Sequence, residues 1–433
     1  MRSGGIGAIL ALALVSCAWG YGYLGLGPGT AVFQGSSRGG GMGETGMLSE
    51  DTPLAVMLNP ALLAHQSEKQ ATLVYRAAAL DENWEFPVYD SFDAILGYDT
   101  YSTNSHLYHG CAGGLGSGVL KQAWGLSFGA AAGLAYDFRY DYAEEVLDRT
   151  STAQPPDRVI ARNSVRGRGE ITSISFGLGK TVYPGLALGA GLDYLTGRHD
   201  LEARIVFRDE NRIPWASKNP DTSATFSARN LSGVRLTVGA AYDLGERVSL
   251  GATYKSAAEL DGDISASGGG GFGTGGGLIS ADLPSKVKYP ASYALGATFK
   301  PRNVLLTVVE GDVTLVKWSD VRDVAAAGET GMDDTYEWHL GVEHIFYNEH
   351  PLRFGFLYKP SPEDKETSEA AVTAGTGFSI AGFGIDLAAK VGWRDYREPD
   401  LFKDDIFGAK LRGSTDVVRD TNFGGLVTIT RRF

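Results

Sequence analysis

The sequence predicts an all-β fold, a transmembrane antiparallel β-barrel of about 14 strands, and three observations carry that prediction. Apolar residues alternate with small or polar ones at a period of two, over segments long enough to cross a bilayer. Tight turns and long polar stretches take turns as connections. The chain also closes on a strand that ends in an aromatic residue, Phe433.

Composition agrees with this reading. Glycine supplies 59 of 433 residues, nearly twice the usual share of about 7%. Disorder does not explain it, because 43% of the residues are hydrophobic and 11% aromatic. With Lys+Arg at 39 against Asp+Glu at 51 the net charge is −12, so no nucleic-acid partner is expected. Cys17 and Cys111 are the only cysteines, too few for a disulfide framework or a cysteine zinc site.

Taken in chain order, residues 1–20 read as a signal peptide. Arg2 gives a thin positive region, Ile6 to Val15 an apolar core, and Ala18-Trp19-Gly20 a cleavage site that leaves Tyr21 first. In an alternative reading Leu14-Val15-Ser16-Cys17 is a lipoprotein box with Cys17 lipidated. After Tyr21 no stretch reaches the roughly 20 apolar residues of a spanning helix. Residues 21–66 form a small-residue segment unsuited to a barrel strand, and residues 67–433 carry the strand pattern.

Three hairpins show that pattern well. Leu186, Leu188, Ala190, Leu192 and Tyr194 follow the Pro184-Gly185 turn, with Gly189, Gly191 and Asp193 on the other face. Val234 to Tyr242 and Val248 to Tyr254 flank Asp243-Leu244-Gly245-Glu246. Val372 to Ile380 and Phe383 to Trp393 flank Ala381-Gly382, with Asp386, Lys390 and Arg394 on the polar face. Such strands need about 9–11 residues to cross, with apolar side chains toward lipid. A lysine at Leu250 or Ile385 is therefore expected to cost more than one at Gly251 or Asp386. The long connections are expected at Glu144 to Glu170, Arg208 to Thr225, Asp261 to Lys288, Ser319 to Thr335, Ser361 to Glu369 and Arg394 to Thr421. Tyr194, Tyr254, Tyr358 and Trp393 sit where interfacial aromatics belong. The ending Leu426-Val427-Thr428-Ile429-Thr430-Arg431-Arg432-Phe433 resembles the signal read by the barrel assembly machinery, a partner reached through Phe433, with Arg431 where an apolar residue is usual.

Ahead of the barrel stand Ser37-Arg38-Gly39-Gly40-Gly41-Met42-Gly43-Glu44 and Leu58-Asn59-Pro60-Ala61-Leu62. Later come Leu250-Gly251-Ala252-Thr253-Tyr254, Tyr289-Pro290-Ala291-Ser292-Tyr293, Asp312 before Trp318-Ser319, and Leu352-Arg353-Phe354-Gly355-Phe356. Together these resemble the long-chain fatty acid outer-membrane transporter family, the FadL type with its aromatic-hydrocarbon relatives. The resemblance implies a hatch at residues 21–66, with Asn59, Pro60 and Ala61 as its motif, plugging a fourteen-stranded barrel in the bacterial outer membrane. It implies passive uptake of long-chain fatty acids or other hydrophobic and amphipathic small molecules, with lateral release through the wall. Outer-membrane lipid and lipopolysaccharide would surround the barrel. No residue set separates fatty acids from other apolar solutes. An alternative in the same family is an accessory barrel that binds protein partners in secretion.

Chemistry is not expected. Gly125-Leu126-Ser127-Phe128-Gly129 has the form of a hydrolase elbow but lies within a strand rather than at a strand-to-helix turn. Gly271-Phe272-Gly273-Thr274-Gly275-Gly276 has no βαβ setting. His106 with His109, and His339 with His344, have spacings that put each pair on opposite strand faces. The Asp395, Glu398, Asp400 and Asp404-Asp405 stretch reads as a solvated loop rather than a calcium site. No catalytic residue, metal or cofactor is expected. Gly125, Gly129 and Gly133 lie in a candidate wall strand; glycine there would suit an opening because it loosens ladder pairing, but it reads first as the ordinary glycine of a barrel wall.

Overall fold

The computed structural model describes residues 27–92, 94–147, 159–208, 221–267, 285–302, 306–321, 332–346, 350–363, 367–399, 401–402 and 415–433. The expected signal peptide with Cys17, the Gly271–Gly276 run and Asp404-Asp405 lie outside the described residues.

Fourteen wall strands close one antiparallel sheet. They are β1 (Gln70–Tyr89), β2 (Ile95–Ser117), β3 (Leu126–Asp137, resuming at Tyr140–Leu147), β4 (Val159–Tyr183), β5 (Leu186–Phe207), β6 (Asp221–Leu244) and β7 (Val248–Lys255, resuming at Ala258–Ser267). There follow β8 (Val287–Tyr289 with Ser292–Phe299), β9 (Leu306–Val316), β10 (Thr335–Ile345), β11 (Pro351–Pro360), β12 (Ser368–Ile380), β13 (Phe383–Pro399) and β14 (Thr415–Arg432). Strand β14 pairs with β1 from Arg432↔Gln70 to Val417↔Glu85, which closes the sheet so that no wall strand is terminal. Lipid supplies no hydrogen bonds, so closure is what lets a sheet span a membrane.

The faces follow the expected alternation. Leu188, Leu192, Val234, Leu236, Leu250 and Val372 point outward and are exposed, while Ala187, Asp193, Thr237 and Thr373 point inward and are buried. The Ala381-Gly382 turn has φ of 51° and 79°. Two successive left-handed residues make the turn whose twist matches a two-residue hairpin, and glycine takes the second place without steric cost.

The long connections differ from expectation. Much of Glu144 to Glu170 is ladder, running from Tyr140↔Gly167 to Leu147↔Val159, and Arg394 to Thr421 is paired out to Pro399↔Thr415. Strand β4 therefore has 25 residues, about 80 Å of extended chain at roughly 3.3 Å per residue. Above the membrane a ladder needs no apolar outer face, so the lipid-type alternation ends before the strand does.

Residues 27–66 lie inside the barrel, threaded up from the rim where the Phe433 amide donates to the Lys69 carbonyl at 2.9 Å. They carry a two-residue strand, Thr30–Ala31, short helices at Ser37–Gly41 (αA) and Ala55–Leu58 (αB), and a 3-10 helix at Pro60–His65. Among the described residues two large buried clusters fill the lumen. The lower one packs Leu54, Val56, Leu62 and Leu63 against wall residues such as Val74, Ala187 and Ala241. The upper one is aromatic, with Trp84, Tyr142, Phe226, Tyr289, Trp318 and Phe402 all buried.

Candidate functional site in the barrel lumen

The inward glycines of the wall form a seat for residues 27–66. Gly179, Gly189 and Gly239 lie side by side across β4, β5 and β6. A Cβ on Gly189 would fall 2.2 Å from the Pro60 carbonyl carbon, and one on Gly239 would fall 2.0 Å from Asn59 Oδ1. Side chains cannot share that space, so the three strands are flat where the Asn59-Pro60 turn lies.

Asn59 is extended (φ −134°, ψ 99°) and caps the 3-10 helix, accepting from the Ala61 amide at 3.1 Å through Oδ1. Pro60 occupies the first helical place, where a missing amide hydrogen costs nothing. The Asn59 Nδ2 donates to the Met47 carbonyl at 2.8 Å and to the wall carbonyl of Ala240 at 3.2 Å. Thr373 Oγ1 accepts from the Gly43 amide at 2.8 Å and donates to the Gly41 carbonyl at 3.0 Å. Ser127, the serine of the elbow-like run, donates to the Gln66 carbonyl at 3.0 Å. Its hydroxyl is part of the seat.

Charge adds to this seat. Arg38 reaches Glu343 at 2.7 Å, Glu343 meets Arg353 at 2.6 Å, and Arg353 meets Asp386 at 2.6 Å. The buried Glu44 pairs with Lys359 and with Lys390, the latter at 3.2 Å. Lys390 also holds Glu369 at 2.8 Å, and Arg394 stands 3.6 Å from it. Burial pushes the Glu44 carboxyl up, but Lys359, Lys390 and His339 outweigh it and hold the group well below the usual carboxylate range. Burial, with Asp51 adding to it, raises Glu50 instead. Its carboxylate accepts from the Ser36 amide at 2.8 Å and from Thr52 Oγ1 at 2.6 Å. Expectation put the cost of a lysine at Gly251 or Asp386 below that at Leu250 or Ile385. Here a Cβ on Gly251 lies 3.0 Å from Leu48, and Asp386 already bonds Arg353, so the inward face is packed protein rather than water.

Above the seat is a cavity of about 110 Å3. Val32, Phe33 and Trp318 supply its apolar side, and Lys359, Lys390 and Arg394, interleaved with Glu44, Glu337 and Glu369, its charged side. A second cavity of about 170 Å3 adjoins it near Met47, Lys255, Asp312 and His339.

Beside the first cavity the wall parts. Strands β2 and β3 pair only from Gly113↔Ala132 to Ser117↔Phe128. Beyond that row residues 133–138 are buried without alternation, and the register with β4 skips at Ala135. The bend carries β3 into the lumen. Its vacated edge pairs with the strand Thr30–Ala31 through Thr30↔Asp137 and Ala31↔Tyr136, and the Val32 amide donates to the Ala135 carbonyl at 3.0 Å. Among the described residues no ladder joins residues 95–112 to residues 133–147. The outer edge of this gap lies in the lipid band, because outward Leu107 pairs with Ala79 and Ala79 with exposed Phe423. Gly133 stands where the strands part, and a Cβ there would fall 2.9 Å from that of Ala112. Gly125 instead caps the short helix Lys121–Trp124 at φ 68°, and Gly129 packs on Leu63.

The histidine pairs stay apart. His106 Nε2 bonds the Asp141 carbonyl at 2.8 Å while His109 is exposed. His339 Nδ1 meets the Gly43 carbonyl at 2.7 Å and His344 Nδ1 meets Thr307 at 2.8 Å. Among the described residues no three metal-type ligands cluster. Sequence reasoning missed the glycine seat. Its signal was available, since Gly189 and Gly239 occupy inward positions at matching heights of adjacent hairpins.

The sequence profile of the outer membrane protein transport family (OMPP1/FadL/TodX) matches residues 28–382. Among solved structures, a Pseudomonas aeruginosa FadL homologue is similar at TM-score 0.62 and 16% identity, over 93% of this chain and 98% of that one. The P. putida toluene transporter TodX is similar at TM-score 0.60 and 17% identity, over 93% and 99%. The Ralstonia pickettii toluene transporter TbuX is similar at TM-score 0.57 and 17% identity, over 93% and 99%. At such identities the structures speak for the fold. No curated protein matches the chain.

Proposed function

Because the chain belongs to the outer membrane protein transport family (OMPP1/FadL/TodX), a family of bacterial outer-membrane barrels that carry hydrophobic compounds, we propose that it takes up long-chain fatty acids and related amphipathic acids by passive transport. The observation that carries the choice of substrate is the cavity beside the wall gap, apolar on one side and lined on the other by Lys359, Lys390 and Arg394 with their carboxylate partners. A carboxylate head exchanges with Glu44 for Lys359 and Lys390, and the tail lies among the aromatics above. Residues 27–66 act as the hatch, with Asn59, Pro60 and Ala61 as its fixed turn, and cargo leaves sideways past the strand Thr30–Ala31. The barrel performs no chemistry in this reading. Lipopolysaccharide surrounds its outer rim, and the assembly machinery receives it through Phe433.

The test is binding to the purified barrel, followed by native mass spectrometry with a long-chain fatty acid and with its methyl ester. The acid is expected to bind roughly tenfold tighter, the worth of one charge-assisted bond of about 1.5–3 kcal/mol after competition. A Lys359→Met, Lys390→Met double variant should erase the difference. Equal affinities for acid and ester in the parent would remove the case for an acid. Retention of neither ligand, with a copurifying protein instead, would favour the accessory-barrel reading.

A further inference from the structure

The wall gap has an upper end, and side chains rather than backbone make it. Above residues 107–112 of β2, Ser102 Oγ donates to the Ala143 carbonyl at 3.0 Å and His106 Nε2 bonds the Asp141 carbonyl at 2.8 Å. Since a carbonyl only accepts, the His106 hydrogen sits on Nε2. A third link lies on the lumen side, where Tyr140 donates to Glu82 at 2.6 Å. Asn104 at 3.2 Å and Trp84 at 2.8 Å donate to the same buried oxygen.

The third link reaches across to β1, and the first two span two strand segments that are neighbours in the wall yet share no ladder. Backbone pairing would bring them to about 4.8 Å. A serine or imidazole reaching a carbonyl on the far strand holds the two backbones farther apart than that, and also stops them from parting further. Below the links the unpaired stretch covers residues 107–112, roughly 20 Å of strand at about 3.3 Å per residue. It is bounded below by the Gly113↔Ala132 row.

We propose that Ser102 and His106 form a strap that fixes the upper end of the wall opening and so sets the girth of the molecules that leave through it. The inference rests on lateral exit, as read above. A linear acid passes lengthwise through a slot of fixed height, and a rigid fused-ring molecule of similar mass does not. The strap is a positioning element, because neither residue lines the cavity that holds the ligand.

Two measurements on the full barrel test it. The first is the distance between spin labels at Thr103→Cys and Ala143→Cys, both outward-facing, in a Cys17→Ala, Cys111→Ala background in lipid nanodiscs. The distribution is expected to be narrow in the parent, broad and longer in the Ser102→Ala, His106→Ala variant, and narrow again with Ser102 intact and His106→Gln, whose amide can donate to the same carbonyl. An unchanged distribution in the double-alanine variant overturns the strap. The second is the uptake ratio of a four-ring sterol to a linear long-chain fatty acid, by cells lacking their own transporter. The ratio is expected to rise roughly fivefold in the double variant when the two side-chain bonds are lost, and to return to the parental value with His106→Gln. A widened distance with an unchanged ratio leaves a structural link and overturns its role in selection. If the parent takes up neither probe, lateral transport itself fails and selection with it, while the label distances still decide whether the strap exists.

Discussion

Asn59→Ala asks whether the hatch is held where the wall glycines leave room for it. The substitution removes three hydrogen bonds: Nδ2 to the Met47 carbonyl, Nδ2 to the Ala240 carbonyl, and the Ala61 amide to Oδ1. Each is worth about 0.5–1.5 kcal/mol net, and loss of the cap is contained in the third, so the hatch should lose about 2–4 kcal/mol of docking free energy. At about 1.4 kcal/mol per tenfold, its open population rises roughly 30- to 800-fold. Hydrogen exchange followed by mass spectrometry on peptides covering residues 55–66 reads that population directly, because local opening sets the exchange rate. Asn59→Ser retains an acceptor for the Ala61 amide and loses both donors, so it should fall between parent and alanine. The heat-modifiable migration of the barrel should not change, since the fourteen-strand ladder does not include Asn59. Exchange within about threefold of the parent, in a barrel that migrates normally, would refute this account of the turn.

Four further outcomes follow from the same geometry. Leu250→Lys places a charge in hydrocarbon and should lower barrel stability by about 2–4 kcal/mol in urea titrations of refolded protein. Gly189→Val sets a side chain against the Pro60 backbone, so protease should cut within residues 27–66 of an otherwise folded barrel. Because Glu44 lies below its ordinary pKa, its contribution to hatch docking is present above the unfolded carboxylate value of about 4.3 and is lost as pH falls through the depressed one. Glu44→Gln should accordingly speed exchange of residues 36–50 at neutral pH, with the difference from the parent shrinking only under strong acid. Gly133→Leu fills the foot of the wall gap and should slow fatty acid uptake several-fold at equal surface abundance, and an unchanged rate would place the exit elsewhere.

The parts of this molecule that face lipid were the most legible in its sequence. Leu188, Leu236 and Val372 alternate with Gly189, Thr237 and Thr373 because the strand repeat is two and the bilayer rewards one face only. The limits of the strands were not legible, because beyond the headgroups Tyr140–Leu147 and Thr415 to Thr421 keep their ladder while the outer face turns polar. Neither was the meaning of the inward glycines. Period two marks Gly189 and Gly239 as inward but says nothing of what lies opposite, and that partner, Asn59-Pro60, is over a hundred positions away in the chain. The wall gap was not legible either, because Gly133 reads first as an ordinary glycine of a barrel wall. The pairing of β3 with Thr30–Ala31 involves two unremarkable residues that only the folded chain brings together.

The most direct test of the central claim is uptake of a labelled long-chain fatty acid by cells deprived of their own transporter and expressing this chain, with surface abundance and heat-modifiable migration measured alongside. The account predicts saturable uptake that needs no energy source, reduced by Gly133→Leu and by the Lys359→Met, Lys390→Met pair. An assembled, surface-abundant barrel that admits no more fatty acid than empty cells do would contradict it.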